Sequence, residues 1–493
     1  MKRSGGGPDD PLGAHPDSGT AAADPREAAK RRFLAQAGWS AADRAPLAGD
    51  ASARRYDRLR WNDAGPAGAL HKADTLPEAG ALPEAGPLPK AAPPPEAGAL
   101  LEAGALPKAD PPPKTGALPE AGPLPKADPP AKTGALPEAS APGAGPGAEG
   151  SPAPAASMPE AERPPAASAV LMDAPPDRGE DIGAFLALTG WLRMQGFAAP
   201  GVLAADPGAG FALLEDLGDA LFARVCAAQP SLEPALYAAA TDLLAALHRI
   251  APPAAIAWSD GLHLLNPYDL ETLHAEAALT PHWYLTAAGA EPGRDAMAEF
   301  DAVLAEALAE ALEGAAASRD VVVLRDYHAE NLVWRPATAD LSAGAQIAGD
   351  AGSPAQAVVQ AVAQVGLLDY QDALRGHPAY DLVSLLEDAR RDTGPDLRAA
   401  MIGRYLDATG REAAPFATAY AALGAQRNLK IIGIFTRLWR RDGKPGYLAM
   451  IPRVWAHLQR DLAHPGLAGL RHWVARHMPP PGPALLARIG RSR

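Results

Sequence analysis

One cysteine, Cys226, stands in the whole 493-residue chain. That excludes an internal disulfide and a cysteine-rich metal site, and a reducing compartment is expected. Long apolar runs are also missing. Charges interrupt each of them well before the roughly 18 residues that a membrane-spanning helix needs, and "MKRSGGGPDDPLGAHPDSG" lacks the apolar centre of a secretory signal. Positive charge is scarce, 45 Lys and Arg against 58 Asp and Glu. The resulting net charge of −13 argues against nucleic-acid or anionic-membrane partners, since both need a basic surface to release counterions. A local cluster can still hold a small anion. These absences predict a cytoplasmic protein with neither nucleic acid nor membrane as partner.

Proline and glycine, in contrast, are abundant, with 53 and 48 residues, so the packed portion is smaller than the length suggests. Much of the excess lies in hexads such as "TLPEAG", "ALPEAG" and "PLPKAD" between Thr75 and Ser140. A left-handed β-helix also repeats every six residues, but its coils need backbone donors where these hexads carry Pro. A solvated, extended insertion is expected over 62–167. It separates two segments that read as strands, "RRYDRLRW" and "SAVLMDAPP", and so replaces a hairpin turn. A second low-complexity loop, 337–364, stands between "LVW" and "VGLLDY", and residues 1–28 form a third disordered candidate. The remainder alternates in character. Strands and one helix, "DIGAFLALTGWLRMQGF", predict an N-terminal lobe over 29–216, with "FALLEDLGD" as a strand entering a connector. From 217 to 480 helices dominate, interrupted by short strands only at two acidic motifs. The expected class is α+β with two lobes.

The chemistry concentrates in "LRDYHAENLVW" and "VGLLDYQD". Phosphoryl transfer needs a carboxylate beside the acceptor hydroxyl, oxygen ligands for Mg²⁺ and a backbone loop over the phosphates. Asp326 fits the first role, Asn331 and Asp369 the second, and "LAGDASARRY" the third, with Arg54 or Arg55 reaching the phosphates. Alone, each acid or amide reads equally well as a turn or cap residue. Two strand-end acids, an Asn five residues after the first, and a β lobe before a helical lobe together point to a kinase.

With "GLLDYQDALRGHPAYDL", these motifs resemble the aminoglycoside-phosphotransferase family, and "LAGDASARRYDRL", "AVLMDAPP" and "QRNLKIIGIFTRLWRRDGKPGYL" resemble the anomeric N-acetylmuramate/N-acetylglucosamine kinases within it. The resemblance implies a bilobal protein-kinase-like fold. It implies Asp326 as the catalytic Asp, Asn331 and Asp369 as Mg²⁺ ligands and Asp381 as a structural acid bracing the catalytic loop. ATP would lie against Asp50, Ser52, Arg54 and Arg55, with backbone at Glu215, Asp216 and Leu217 pairing adenine. The implied reaction is ATP-dependent phosphorylation of the sugar's anomeric hydroxyl, giving a 1-phosphate for a later uridylyltransferase. Substrate candidates are Glu276, Trp283, His328, Arg437 and Trp439, although Arg on a helix commonly faces solvent and Trp commonly fills a core. Two positions depart from the family pattern. Leu324 replaces the His of H-x-D, and Met172 replaces the strand Lys that contacts phosphates, with no Glu in the following helix to pair with one. Arg54 or Arg55 is expected to supply that charge. The departure keeps two alternatives open, a kinase of another small hydroxyl acceptor and a catalytically silent scaffold.

Overall fold

The computed structural model describes residues 24–47, 53–61, 168–312, 320–335 and 364–491. The expected insertion over 62–167, all but the last residue of the expected loop 337–364, and the positions Asp50 and Ser52 lie outside them.

A five-stranded antiparallel sheet forms the N-terminal lobe, in the order β1-β2-β3-β5-β4. Its strands are β1 (Asp43–Pro46), β2 (Arg55–Arg60), β3 (Ser168–Asp173), β4 (Val202–Asp206) and β5 (Phe211–Glu215). β2 and β3 pair directly, Arg60 opposite Ser168 and Arg55 opposite Asp173, although 107 residues of sequence lie between Arg60 and Ser168. Because successive strand side chains alternate in direction, this register assigns every residue a face. Leu59, Ala169, Leu171, Phe211 and Leu213 point outward into a small core with Phe33, Leu34 and Trp39. These last three belong to helix α1 (Pro25–Gln36) and the turn after it. α1 starts at an Asp24 cap with Pro at its first position, two signals that favour a helix start. Residues 24–28, expected to be disordered, are therefore its cap and first turn. Arg26 and Lys30 seat α1 on the sheet through Asp173, at 2.6 and 2.9 Å. Burial alone would raise the Asp173 carboxyl, but these two cations outweigh it and hold it low.

The opposite face carries Tyr56, Val170, Met172, Ala212 and Leu214 into the main core, beneath helix α2 (Gly183–Met194). From Glu215 the chain crosses to a mostly helical lobe: α3 (Phe222–Ala228), α4 (Glu233–Leu247), α5 (Leu270–Ala277), α6 (Arg294–Leu312), α7 (Ala379–Leu386), α8 (Pro395–Thr409), α9 (Ala413–Arg440), α10 (Ile451–Asp461), α11 (Ala468–His477) and α12 (Pro483–Arg491). α9 runs through its centre and packs on α5, α6, α7 and α10. Its buried Leu423, Leu429, Ile432 and Phe435 each stabilise by roughly 1.5–3 kcal/mol. One expectation fails here. Strands in this lobe are not confined to the acidic motifs, because β6 (Ala255–Trp258) and β7 (Gly261–Leu264) form a hairpin against α2. Gly183 of α2 lies so near the Trp258 ring that a Cβ there would approach it to 2.9 Å, so the hairpin uses a gap that only glycine leaves.

Two further short pairs build the floor of the interlobe cleft. β8 (Val321–Val323) pairs with β11 (Leu374–Gly376), and β9 (Leu332–Trp334) pairs with β10 (Val365–Leu367). The loops leaving β8 and β10 carry the two acidic motifs. Among the described residues no helix is long and apolar enough to cross a membrane.

Candidate active site

Three buried apolar residues, Val321–Val323, anchor β8, and the chain then turns through Leu324 and Arg325 to Asp326. Arg325 adopts φ 70°, a left-handed conformation that costs a non-glycine residue energy and needs support. Asp381, at the start of α7, provides it. Its carboxylate accepts the backbone N–H groups of Leu324 at 2.6 Å and Arg325 at 2.8 Å. Leu324, where the family carries His, is 3% exposed and packs in the core, so the brace comes from Asp381 and not from that side chain. Tyr327 fastens the far side of the loop by donating to the Ala240 carbonyl of α4 at 2.9 Å. Arg325 itself pairs with Glu276, which also accepts from Tyr268 and from Lys430 at 2.9 Å. Burial would raise the Asp326 carboxyl, but Lys430, His328, Arg427 and Arg325 outweigh it and hold the group below the usual carboxylate range. Asp326 is thus an anion beside the cleft.

Asn331 joins the two loops. Its Nδ2 donates to the Asp326 carbonyl at 3.0 Å and lies 3.3 Å from Asp369 Oδ2, while its own carbonyl accepts from the Leu368 N–H at 2.9 Å. Asp369 has φ 58° and is held by Gln371 Nε2 at 2.9 Å. It opens to solvent yet is walled in by the cleft. That desolvation raises its carboxyl, and the like charges of Asp326 and Asp372 push the same way against Gln371 and Arg54. Asp369 and the side-chain amide of Asn331, 3.3 Å apart, bring hard oxygen donors of the kind a divalent cation takes to one point of the cleft. Two protein ligands are the number Mg²⁺ commonly takes when phosphates and water fill the rest.

The sheet side of the cleft separates the two arginines expected there. Arg54, Tyr56 and Arg58 share the cleft face of β2, opposite Met172 and Val170, whereas Arg55 is exposed on the other face with Asp57 and Leu59. Arg54 Nε meets Glu180 Oε2 at 2.7 Å. Arg58 is committed to the interlobe connector: it contacts Asp216 at 2.9 Å and Asp219 at 2.5 Å. Glu215 likewise ties the connector down, accepting from Gly201 N–H at 2.9 Å and pairing with Arg193 and Arg335. Leu217 packs over Gly366, whose missing side chain leaves room for it.

Residues 161–343 and 358–416 match the APH phosphotransferase enzyme family. The chain is 40% identical over 299 residues to the N-acetylmuramate/N-acetylglucosamine kinase of Caulobacter vibrioides, covering 60% of this chain and 75% of that relative. The chain belongs to the APH phosphotransferase family. A kinase of the same name from Pseudomonas aeruginosa is 32% identical over 317 residues, covering 62% of this phosphotransferase and 81% of the relative. Among solved structures, ADP-bound aminoglycoside phosphotransferase APH(2'')-Ib is 16% identical, covers 59% of this chain and 86% of that one, and has a TM-score of 0.38.

On the helical side, the structure gathers only some of the expected acceptor residues of this phosphotransferase. His328 is 5% exposed, with Nε2 3.3 Å from Arg390 and Nδ1 unpaired. Burial brings its pKa down to about 4, so its ring is neutral near pH 7. Glu276 has both oxygens engaged, by Arg325 and Lys430 on one and Tyr268 and Gln426 on the other, which leaves it a brace of the catalytic loop. Trp283 instead lines a surface depression with His282, Thr286, Arg440 and Arg441. Trp439 donates to the Ile489 carbonyl of α12 at 3.1 Å, and Arg437 stands seven residues beyond Lys430, about 10 Å further along α9. The charges of α9 that act on Asp326 belong to Arg427 and Lys430. Lys430 was visible in the sequence as part of a basic helix, but helical spacing does not say which turn meets the cleft.

Proposed function

We propose that this phosphotransferase moves the γ-phosphate of ATP to the anomeric hydroxyl of N-acetylmuramate or N-acetylglucosamine, giving a sugar 1-phosphate that suits a uridylyltransferase as the next enzyme. The observation that carries this reading is the 40% identity to a kinase of that name over 75% of its length, together with an intact Asp326–Asn331–Asp369 cluster on a chain of the same family. ATP would lie between the sheet and the β9–β10 floor, its adenine against the Glu215–Leu217 backbone.

Asp326, held anionic by Lys430 and Arg427, is suited to orient the anomeric hydroxyl and accept its proton as the oxygen attacks phosphorus in line with the departing ADP. Asp369 and the Asn331 amide oxygen would hold Mg²⁺, which when bound neutralises the charge on the β- and γ-phosphates. The acceptor would enter between the catalytic loop and α9, where His328 and Lys430 offer polar contacts and a cation suited to a sugar carboxylate. The fold carries this site within a chain whose composition suggests the cytoplasm.

An ADP-release assay with Mg²⁺-ATP tests the assignment against N-acetylmuramate, N-acetylglucosamine, an aminoglycoside and choline. Turnover on the two N-acetyl sugars with little on the others is expected. Preference for choline or the aminoglycoside by tenfold or more in kcat/KM would overturn the acceptor assignment and leave the phosphotransferase intact.

A further inference from the structure

We infer that Arg54, held in place by Glu180, is the phosphate-contacting cation of the nucleotide site, in the position for which strand β3 offers only Met172. This rests on the phosphotransferase reading, and the ligand is the polyphosphate of a nucleoside triphosphate.

The cleft floor is acidic, with Asp326 and Asp372 both near enough to Asp369 to act on its charge. A bound triphosphate would add further negative charge, so a fixed cation is needed on the opposite wall. The cleft face of the sheet answers with a short row on two strands. Met172 is 1% exposed and opposite Tyr56, so strand β3 offers no cation at this point. One pleat before Tyr56 on the same face comes Arg54, and it is the residue of this row that acts electrostatically on both Asp369 and Asp372. The other cation of the row, Arg58, is taken up by Asp216 and Asp219 of the connector. Arg55 points away from the cleft.

Glu180 lies outside α2, in the turn between the short helix Pro176–Arg178 and Gly183. It nonetheless does two things at once. One oxygen takes Arg54 Nε at 2.7 Å, and the other accepts the Ala53 N–H at 3.2 Å. A single carboxylate therefore sets both the cation and the backbone at the end of the β1–β2 connection. Arginine is suited to this place because its guanidinium stays charged when buried and can pair two phosphate oxygens in parallel.

The test measures binding of Mg²⁺-ATP and of adenosine, which lacks the phosphates, by calorimetry on the full chain, beside steady-state kinetics. Arg54→Met is expected to weaken Mg²⁺-ATP tenfold or more and adenosine less than twofold, with Arg54→Lys in between. Glu180→Gln should lower kcat and weaken ATP less than Arg54→Met does, and Arg55→Met should match wild type. Wild-type ATP affinity and turnover in Arg54→Met would overturn the inference, as would an equal loss of ATP and adenosine. Should Arg54→Met fail to fold, Arg54→Lys and Glu180→Gln decide: ATP binding and kcat at wild-type level in both would overturn it equally. A wild-type protein that binds Mg²⁺-ATP but phosphorylates neither N-acetyl sugar would sink the acceptor assignment alone, since the ATP-to-adenosine comparison reads Arg54 without any sugar.

Discussion

Asp381 shows how much of the site depends on one side chain that never meets substrate. Its carboxylate holds two consecutive N–H groups through a left-handed residue, and without it Arg325 would relax and carry Asp326 away from the cleft. Asp381→Asn replaces one acceptor oxygen by a donor that faces a backbone N–H, so it is expected to cost about 1–3 kcal/mol and to lower kcat more than it raises KM for ATP. Burial pushes Asp381 up to about 7, against the pull of the two N–H groups. In an unfolded chain the same acid ionises near about 4. The folded protein therefore keeps a proton that the unfolded chain has lost, and the stability this group contributes is full below pH about 4 and is lost as pH rises through about 7. The Tm difference between wild type and Asp381→Asn should narrow from pH 5 to pH 8, and parallel curves would contradict the account. At this scale the sequence is readable where one loop carries two members of the motif: Asp326 and Asn331 lie five residues apart and meet, Asn331 reaches Asp369 on the next loop, and Asp381, expected from the family resemblance, braces the catalytic loop. Arg54 and Arg55 could not be told apart, since only the strand register fixes their faces, and Glu180 is legible nowhere because 126 residues separate it from its partner.

At the scale of elements, α9 is the beam on which the helical lobe is assembled, and two glycines show what its packing tolerates. At Gly433 a Cβ would come within 2.4 Å of the Leu279 backbone, which cannot step aside as a flexible side chain can. Gly433→Ala is expected to destabilise by roughly 1–3 kcal/mol through overpacking. Gly403, inside α8, has nothing within 4 Å of its Cβ position, so Gly403→Ala is expected to stabilise by up to about 1 kcal/mol from helix propensity. Thermal melts of the two variants moving in the same direction would contradict this account of the packing. The elements that sequence periodicity revealed are those with one clearly apolar face, such as β5 and α4. β4 escaped because its Val202 and Leu203 are exposed at a sheet edge and show no alternation, and the β6–β7 hairpin escaped, despite the turn-favouring residues Ser259, Asp260 and Gly261, because each strand is only four residues long and Leu262 and Leu264 stay exposed.

For the whole molecule, the N-terminal sheet closes without help from the sequence between β2 and β3, since Arg60 and Ser168 already stand opposite one another. Loop closure cost grows only with the logarithm of length, so removing residues 69–140 is expected to leave kcat and KM within about twofold and Tm unchanged or slightly higher. A loss of activity would assign those residues a part in catalysis. The central claim, that this cleft phosphorylates an anomeric hydroxyl through Asp326, is tested most directly by phosphorus NMR of the product formed from N-acetylmuramate and Mg²⁺-ATP, for wild type and Asp326→Asn. The account predicts an acid-labile 1-phosphate from wild type and a rate reduced by roughly 10²–10⁴ in the variant, with Mg²⁺-ATP still bound. A phosphate on any other hydroxyl, or full turnover by Asp326→Asn, would contradict it.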